Sequence, residues 1–313
     1  MFLLFALAMI ALPAVFLACG CGFCMWFGAW SVGRPQTSPG PVGGGGPLPA
    51  GKPPTGNKVP PADPMLTPPD KREPADWQPQ PPAQLDFPPI AASELTGLVG
   101  YWPLDEGQGT TTADKNGRSP PAKVVGGWWV TGVRGKAILF DGFQDFINLG
   151  EAARLNLGDG EPFSVSVWVA TRNDAGTVVL LRHAANGAPL ISLQIDGGAV
   201  QALVRADNPE SGEARLSGPK VSDRRWHHLT LSRDKIGWVT LYVDGVRIGG
   251  GIGENSKGPI TTNLRILGSE RYLVLQGKGF NAPVHYLDGA VDEFAFFNRE
   301  LTAEEVKRLA GKR

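Results

Sequence analysis

The run Asp223–Gly250, DRRWHHLTLSRDKIGWVTLYVDGVRIGG, decides how this chain folds. Two alternating stretches, Leu229-Thr230-Leu231-Ser232 and Val239-Thr240-Leu241-Tyr242-Val243, precede Asp244-Gly245 and a third run, Val246-Arg247-Ile248. An Asp-Gly pair between β-rich runs marks a tight hairpin, because both central residues of the favoured turn need positive φ. Upstream, Phe163-Ser164-Val165-Ser166-Val167-Trp168-Val169 alternates strictly, so Phe163, Val165, Val167 and Val169 line one face of a strand. Further strands are expected at Thr177–Arg182, Leu190–Ile195 and Ala199–Arg205, separated by Gly, Asp and Asn turns at sandwich spacing. Only the end reads as helix: Thr302 with Glu305 forms a capping box, and Val306 and Leu309 supply an apolar stripe.

Composition divides the rest. Residues 1–33 carry no charged side chain, and the stretch 31–92 holds 18 of the 28 prolines. The expected organisation is a membrane anchor at 1–30, a disordered Pro/Gly-rich linker at 31–92 and one globular domain at 93–313. That last unit, about 220 residues, is ample for a single all-β core. Formal net charge is zero with no concentrated basic patch, which argues against nucleic acid as a partner. The three cysteines, Cys19, Cys21 and Cys24, all lie in the apolar amino-terminal run, so the domain has no disulfide framework and no thiolate chemistry.

Met1–Trp30 is apolar for long enough to span about 30 Å of hydrocarbon as a helix, with Trp26 and Trp30 where an interfacial belt would sit. A transmembrane anchor is the favoured reading. A cleaved signal peptide lacks its basic n-region, and Phe16-Leu17-Ala18-Cys19 resembles a lipobox with Phe in place of the usual Leu. The linker cannot bury enough apolar surface to order itself. As a flexible coil of about 60 residues it spans on the order of 45 Å, and as polyproline II about 190 Å. Pro79-Gln80-Pro81-Pro82 has the composition to recruit a proline-binding module, but a passive spacer is the favoured reading.

Six pieces in order carry a resemblance: GYWPLDEGQG, GKAILFDGFQDFINLG, FSVSVWV, WHHLTLSRD, VTLYVDGVRIG and DGAVDEFAFFNRELTAEEV. Together, over residues 96–310, the chain resembles the laminin G-like jelly rolls of the concanavalin A-like lectin/glucanase superfamily. The resemblance implies an all-β, two-sheet antiparallel jelly-roll sandwich. It also implies an extracytoplasmic, lectin-like module that binds a glycan or a protein, against the weak counter-signal of Arg34 and Lys52 after the span.

The chemistry-bearing residues fit binding better than cleavage. Glycoside hydrolysis needs two carboxylates about 5–9 Å apart. Asp292 and Glu293 are neighbours on opposite faces of a strand, and Asp288-Gly289 reads as a turn, so the alternating acidic motif of the superfamily's hydrolases is absent. His183, His227, His228 and His285 come with no Gly-x-Ser-x-Gly elbow; Trp226-His227-His228 reads as structural. Candidate sugar-stacking residues are Trp128, Trp129, Trp238 and Tyr272, with one of the adjacent Trp128 and Trp129 facing the core and the other facing out. Asp105, Asp114 and Asp292 could hold a structural Ca²⁺ if the first and last strands pair; otherwise Asp105 and Asp114 shape turns. Gly249–Gly253 is expected as a loop. The alternatives are a glycoside hydrolase or lyase with degenerate motifs, or a purely structural envelope or adhesion component.

Overall fold

The computed structural model describes residues 77–80, 96–150, 155–183, 190–207, 213–251, 256–270 and 285–311, all within the unit Pro61–Arg313. The expected membrane span and all of the expected linker except residues 77–80 lie outside them. Among the described residues no helix is long and apolar enough to cross a membrane.

The described chain is almost entirely strand. In order these are β1 (Leu98–Trp102), β2 (Thr111–Thr112), β3 (Ala122–Val125), β4 (Trp128–Thr131), β5 (Lys136–Asp141), β6 (Phe146–Asn148), β7 (Phe163–Thr171) and β8 (Ala175–Arg182). They continue with β9 (Leu190–Asp196), β10 (Ala199–Arg205), β11 (Ala214–Lys220), β12 (His227–Arg233), β13 (Val239–Val243), β14 (Val246–Gly251), β15 (Leu264–Leu267) and β16 (Asp288–Phe297). A single helix, α1 (Ala303–Leu309), follows. Sheet one runs β14-β13-β12-β7-β16-β5-β4, with β1 also paired to β16, and sheet two runs β11-β10-β9-β8-β15-β6-β3-β2. The first and last strands therefore pair, as the sequence allowed.

The two sheets close on one apolar core. Phe163, Val165, Val167 and Val169 enter it from β7 and meet Val179, Leu181 and Leu193 of sheet two with Phe294 and Phe296 of β16. Phe163 and Phe296 stack at 6.0 Å. The hairpin that decided the fold has its expected turn: Asp244 and Gly245 both take positive φ, 52° and 74°, and Val243 faces Val246. Helix α1 carries the complete Thr302–Glu305 capping box and buries Val306 against Tyr242 and Phe297.

Three expectations need correction. Asp288-Gly289 opens β16 as strand, with Asp288 opposite Asp141 and its carboxylate taking a 2.9 Å bond from Arg172 Nε. Gly249, Gly250 and Gly251 lie in β14, where Gly250 leaves room for the Trp238 indole and the Arg247 guanidinium. The linker reading of 31–92 does not hold at Trp77–Gln80: Trp77 is 5% exposed in one apolar cluster with Trp168 and Trp226. A tryptophan buries enough apolar surface to order the few residues around it, whatever the prolines nearby prefer.

Candidate functional site

Sheet one offers little open surface for a ligand. Strand β7 is buried along its whole length, so Ser164, Ser166, Trp168 and Ala170 on its outward face are covered as well as the core residues. Helix α1 with the residue before its cap covers one end, through Val306 and Leu301. The other end is covered by Trp77 and by the β4–β5 loop, whose Val133 and Arg134 N–H groups donate to Asp292 Oδ2 at 2.7 and 3.2 Å. Between the covers runs a polar seam: Ser164 and Ser232 hydroxyls at 2.6 Å, and Ser166 Oγ with His228 Nε2 at 2.8 Å. Burial holds the His228 imidazole down at about 3, with Arg134 adding and Asp244 opposing. His227, outside the seam, is bracketed by Asp244 at 2.8 Å and Asp223 at 3.1 Å, whose carboxylates raise it against its burial. The Trp226-His227-His228 run is thus a structural device.

Among the described residues the candidate stacking aromatics are not brought together. Trp129 packs toward the core, its Nε1 donating to the Gly109 carbonyl at 3.1 Å, while Trp128 lies half-buried on the opposite face. Trp238 is 37% exposed near the other end of the sheet, and Ile236, Val246 and Ile248 near the same edge are also exposed. Tyr272 lies outside the described residues.

Nor do the three aspartates assemble a metal site. Among the described residues no group of three or more His, Cys, Asp or Glu could hold a metal ion. Asp114 accepts four backbone N–H groups, from Tyr101, Asn116, Arg118 and Ser119, which is the turn-shaping role. Asp292 uses Oδ2 for the β4–β5 loop and Oδ1 for Glu293 N–H at 2.9 Å. Asp105, exposed, accepts from Lys136 N–H at 2.8 Å. Oxygens aimed at backbone donors are not aimed at a shared cation, so these residues do not fit Ca²⁺. Asp292 is followed by a bulge in which Glu293 takes φ 53° and accepts the Tyr101 hydroxyl at 2.7 Å. Burial pushes both carboxyls up; the backbone N–H donors oppose this at Asp292, and the Tyr101 hydroxyl opposes it at Glu293.

Sheet two has a different outward face. Cross-strand register sets Lys123, Asn148, Ile266, Leu180, Ser192, Leu203 and Arg215 in one row across six of its strands and the start of β11. Flanking rows hold Leu264-Arg182-Leu190-Arg205 and Thr177-Gln194-Gln201-Ser217. On β10 every outward residue (Ala199, Gln201, Leu203, Arg205) is half-exposed while every inward one is buried, the pattern of a strand with one wet side, whereas Thr177, Leu180, Ser192, Leu264 and Ile266 in the same rows are buried. Gln194 donates to Glu270, and Arg205 bonds Glu213. Burial pulls the Arg182 guanidinium down, with Glu270 opposing and Arg205 adding. Beside these groups, Thr177 Oγ1, Ser192 Oγ and Arg182 Nε are buried without a partner. Amides, guanidiniums, carboxylates and hydroxyls thus lie in register beside a buried apolar strip of Leu180, Leu264 and Ile266. That combination suits a ligand presenting many hydroxyl groups. The polar alternation of Ala199–Arg205 was a sequence signal for the wet face; the alignment of Arg182 and Gln194 beside it required the register.

A family profile described as the concanavalin A-like lectin/glucanases superfamily, of laminin G type, matches residues 141–307. Among solved structures the chain is similar to the binding domain of Paraclostridial mosquitocidal protein 1, at 17% identity and TM-score 0.53, over 69% of this chain and 52% of that one. It is similar to the botulinum neurotoxin serotype G binding domain at 15% identity and TM-score 0.50, over 68% and 50% of the two chains. It also matches Trypanosoma rangeli sialidase in complex with sialic acid, at 17% identity and TM-score 0.51, over 69% and 33%. At such identities the likeness is one of fold. This chain spans about half the length of the two toxin domains and a third of the sialidase. No curated protein sequence matches it.

Proposed function

The chain belongs to the concanavalin A-like lectin/glucanases superfamily, and from that premise we propose that it is a membrane-tethered, non-catalytic lectin-like module that binds a glycan outside the cytoplasm. The observation that carries the reading is the outward face of sheet two, where Thr177, Ser192 and Arg182 keep buried polar atoms without partners beside half-exposed Gln194, Gln201 and Arg205. Buried polar groups left unpaired cost about 1–3 kcal/mol each, and a polyhydroxylated ligand reaching that row would satisfy them. The tether rests on the apolar run 1–30 and the proline-rich stretch after it.

The test is binding of the full chain, in detergent, to a panel of neutral and acidic polysaccharides, with Ca²⁺ and then with chelator. Gln201→Ala combined with Arg205→Ala, both on half-exposed positions, is expected to weaken binding at least tenfold without altering the melting temperature, and chelation to leave it unchanged. Release of shortened product would replace this reading with a glycoside hydrolase. Silence across the panel would favour a protein ligand, for which the β13–β14 edge, with Ile236, Trp238, Val246 and Ile248 exposed, is the alternative surface.

A further inference from the structure

Trp77-Gln78-Pro79-Gln80 is docked on sheet one in the manner of a bound peptide. Its backbone makes a parallel bridge, Gln80 to Arg225, in which Gln80 N–H donates to the Arg224 carbonyl at 3.0 Å. Its one large side chain, Trp77, enters an apolar cluster with Trp168, Trp226, Val130 and Leu139. The Arg172 guanidinium lies 5.7 Å from the Trp77 ring centroid while its Nε is held by Asp288, a fixed cation over an aromatic face. A backbone bond to the loop before β12, combined with a pocket for one anchor, is the kind of contact by which an extended peptide is recognised.

The contact is also imperfect. Trp77 Nε1–H is buried without a partner, a penalty that the rest of the contact must overcome. Gln78 and Gln80 remain exposed, so among the described residues the segment is held by its anchor, the Arg172 contact and one backbone bond. A contact carried in cis can be tested by displacement with the same segment supplied in trans. We propose that this aromatic face of sheet one is a recognition site for an extended peptide with a tryptophan two residues before a proline, and that Trp77–Gln80 keeps it closed in cis. The site is separate from the sheet-two face and does not depend on that face binding glycan.

The probe is a labelled peptide of residues 70–85, DKREPADWQPQPPAQL, titrated into the full chain and read by fluorescence anisotropy. A cis segment competes at an effective concentration on the order of 1 mM. A peptide that binds at about a tenth of that concentration should therefore bind Trp77→Ala roughly tenfold more tightly than it binds the parent chain. The same peptide with Ala in place of its tryptophan should not bind. Gln80→Pro removes the one backbone donor without touching the domain's own residues, so it guards against misfolding of the first variant; it is expected to give an intermediate gain. Equal binding to parent and both variants, no binding to any of them, or binding that ignores the peptide's tryptophan would overturn the proposal.

Discussion

Replacing Asp292 by alanine is expected to destabilise the domain by about 3 kcal/mol. Its carboxylate is fully buried and accepts three backbone N–H groups, from Val133, Arg134 and Glu293. Hydrogen bonds to a charged group contribute about 1.5–3 kcal/mol each, so the gross loss is roughly 5–9 kcal/mol. Removing a buried carboxyl also relieves its desolvation penalty of several kcal/mol, which leaves a net loss near 3. The loss should fall on the β4–β5 loop and on the bulge, since Glu293 at φ 53° is tied to Asp292 through its own N–H. Asp292→Asn keeps one acceptor oxygen and should lose about half as much. Asp105 is the control: it is exposed and accepts a single N–H, from Lys136, so Asp105→Ala should cost under about 1 kcal/mol. Urea unfolding followed by tryptophan fluorescence reads the difference. With a slope of about 3 kcal/mol per molar, the midpoint of Asp292→Ala falls by roughly 1 M. A midpoint indistinguishable from the parent, or an equal fall for Asp105→Ala, would refute the assignment of Asp292 as the structural clamp of this face.

Two buried groups give opposing pH slopes. The fold holds His228 neutral down to about 3, whereas the unfolded chain takes its proton near 6.5; that contribution is full above pH 6.5 and is lost as pH falls toward 3. Burial, with the Asp141 charge, pushes Asp145 up to about 7 from 3.8, so its contribution is full below pH 3.8 and is lost as pH rises to 7. Between pH 6.5 and 4.5 each is worth roughly 2–3 kcal/mol and they nearly cancel. Relative to the parent, Asp145→Asn should lose that much stability on acidification and His228→Gln should gain it; parallel pH profiles for the three proteins would sink the pairing. At the hairpin, Gly245→Ala places a Cβ at φ 74° within 3.2 Å of Lys307 Cα in α1, and thermal melts should show a loss of about 1–2 kcal/mol. An unchanged melting temperature would mean that the turn or α1 relaxes freely.

How much was legible follows from how local each feature is. The β12–β14 hairpin could be read because its alternation and its Asp-Gly turn are local, and the structure returns both. The α1 capping box is equally local, three residues from Thr302 to Glu305. Ser164 and Ser166 were polar positions on an alternating strand, which ordinarily face water. Here they are buried because Ser232 and His228, more than 60 positions away, supply their hydrogen bonds. Asp105, Asp114 and Asp292 had the right chemistry for calcium, yet what a carboxylate serves depends on which backbone N–H groups the fold aims at it. Trp77 was hidden by its setting: proline-rich composition predicts no packing, but a single aromatic with a prepared face is enough to order four residues.

Connectivity explains why the two outward faces differ. Sheet one contains both β1 and β16, so the segment before the domain and the helix after it emerge beside that sheet and fall across its outer side. Trp77–Gln80 and α1 are those two flanks, and with the β4–β5 loop they cover β7 completely. Sheet two is assembled from β2, β3, β6, β8–β11 and β15, none of which is the first or last strand. The helix and the Trp77 segment both lie on the other sheet, and here Thr177, Ser192 and Arg182 keep unpaired polar atoms. That separation lets the in-cis peptide contact be gained or lost without steric consequence for a ligand on sheet two. Glycan affinity should therefore be the same in Trp77→Ala as in the parent; a change greater than about twofold would mean that the two faces are coupled through the shared core.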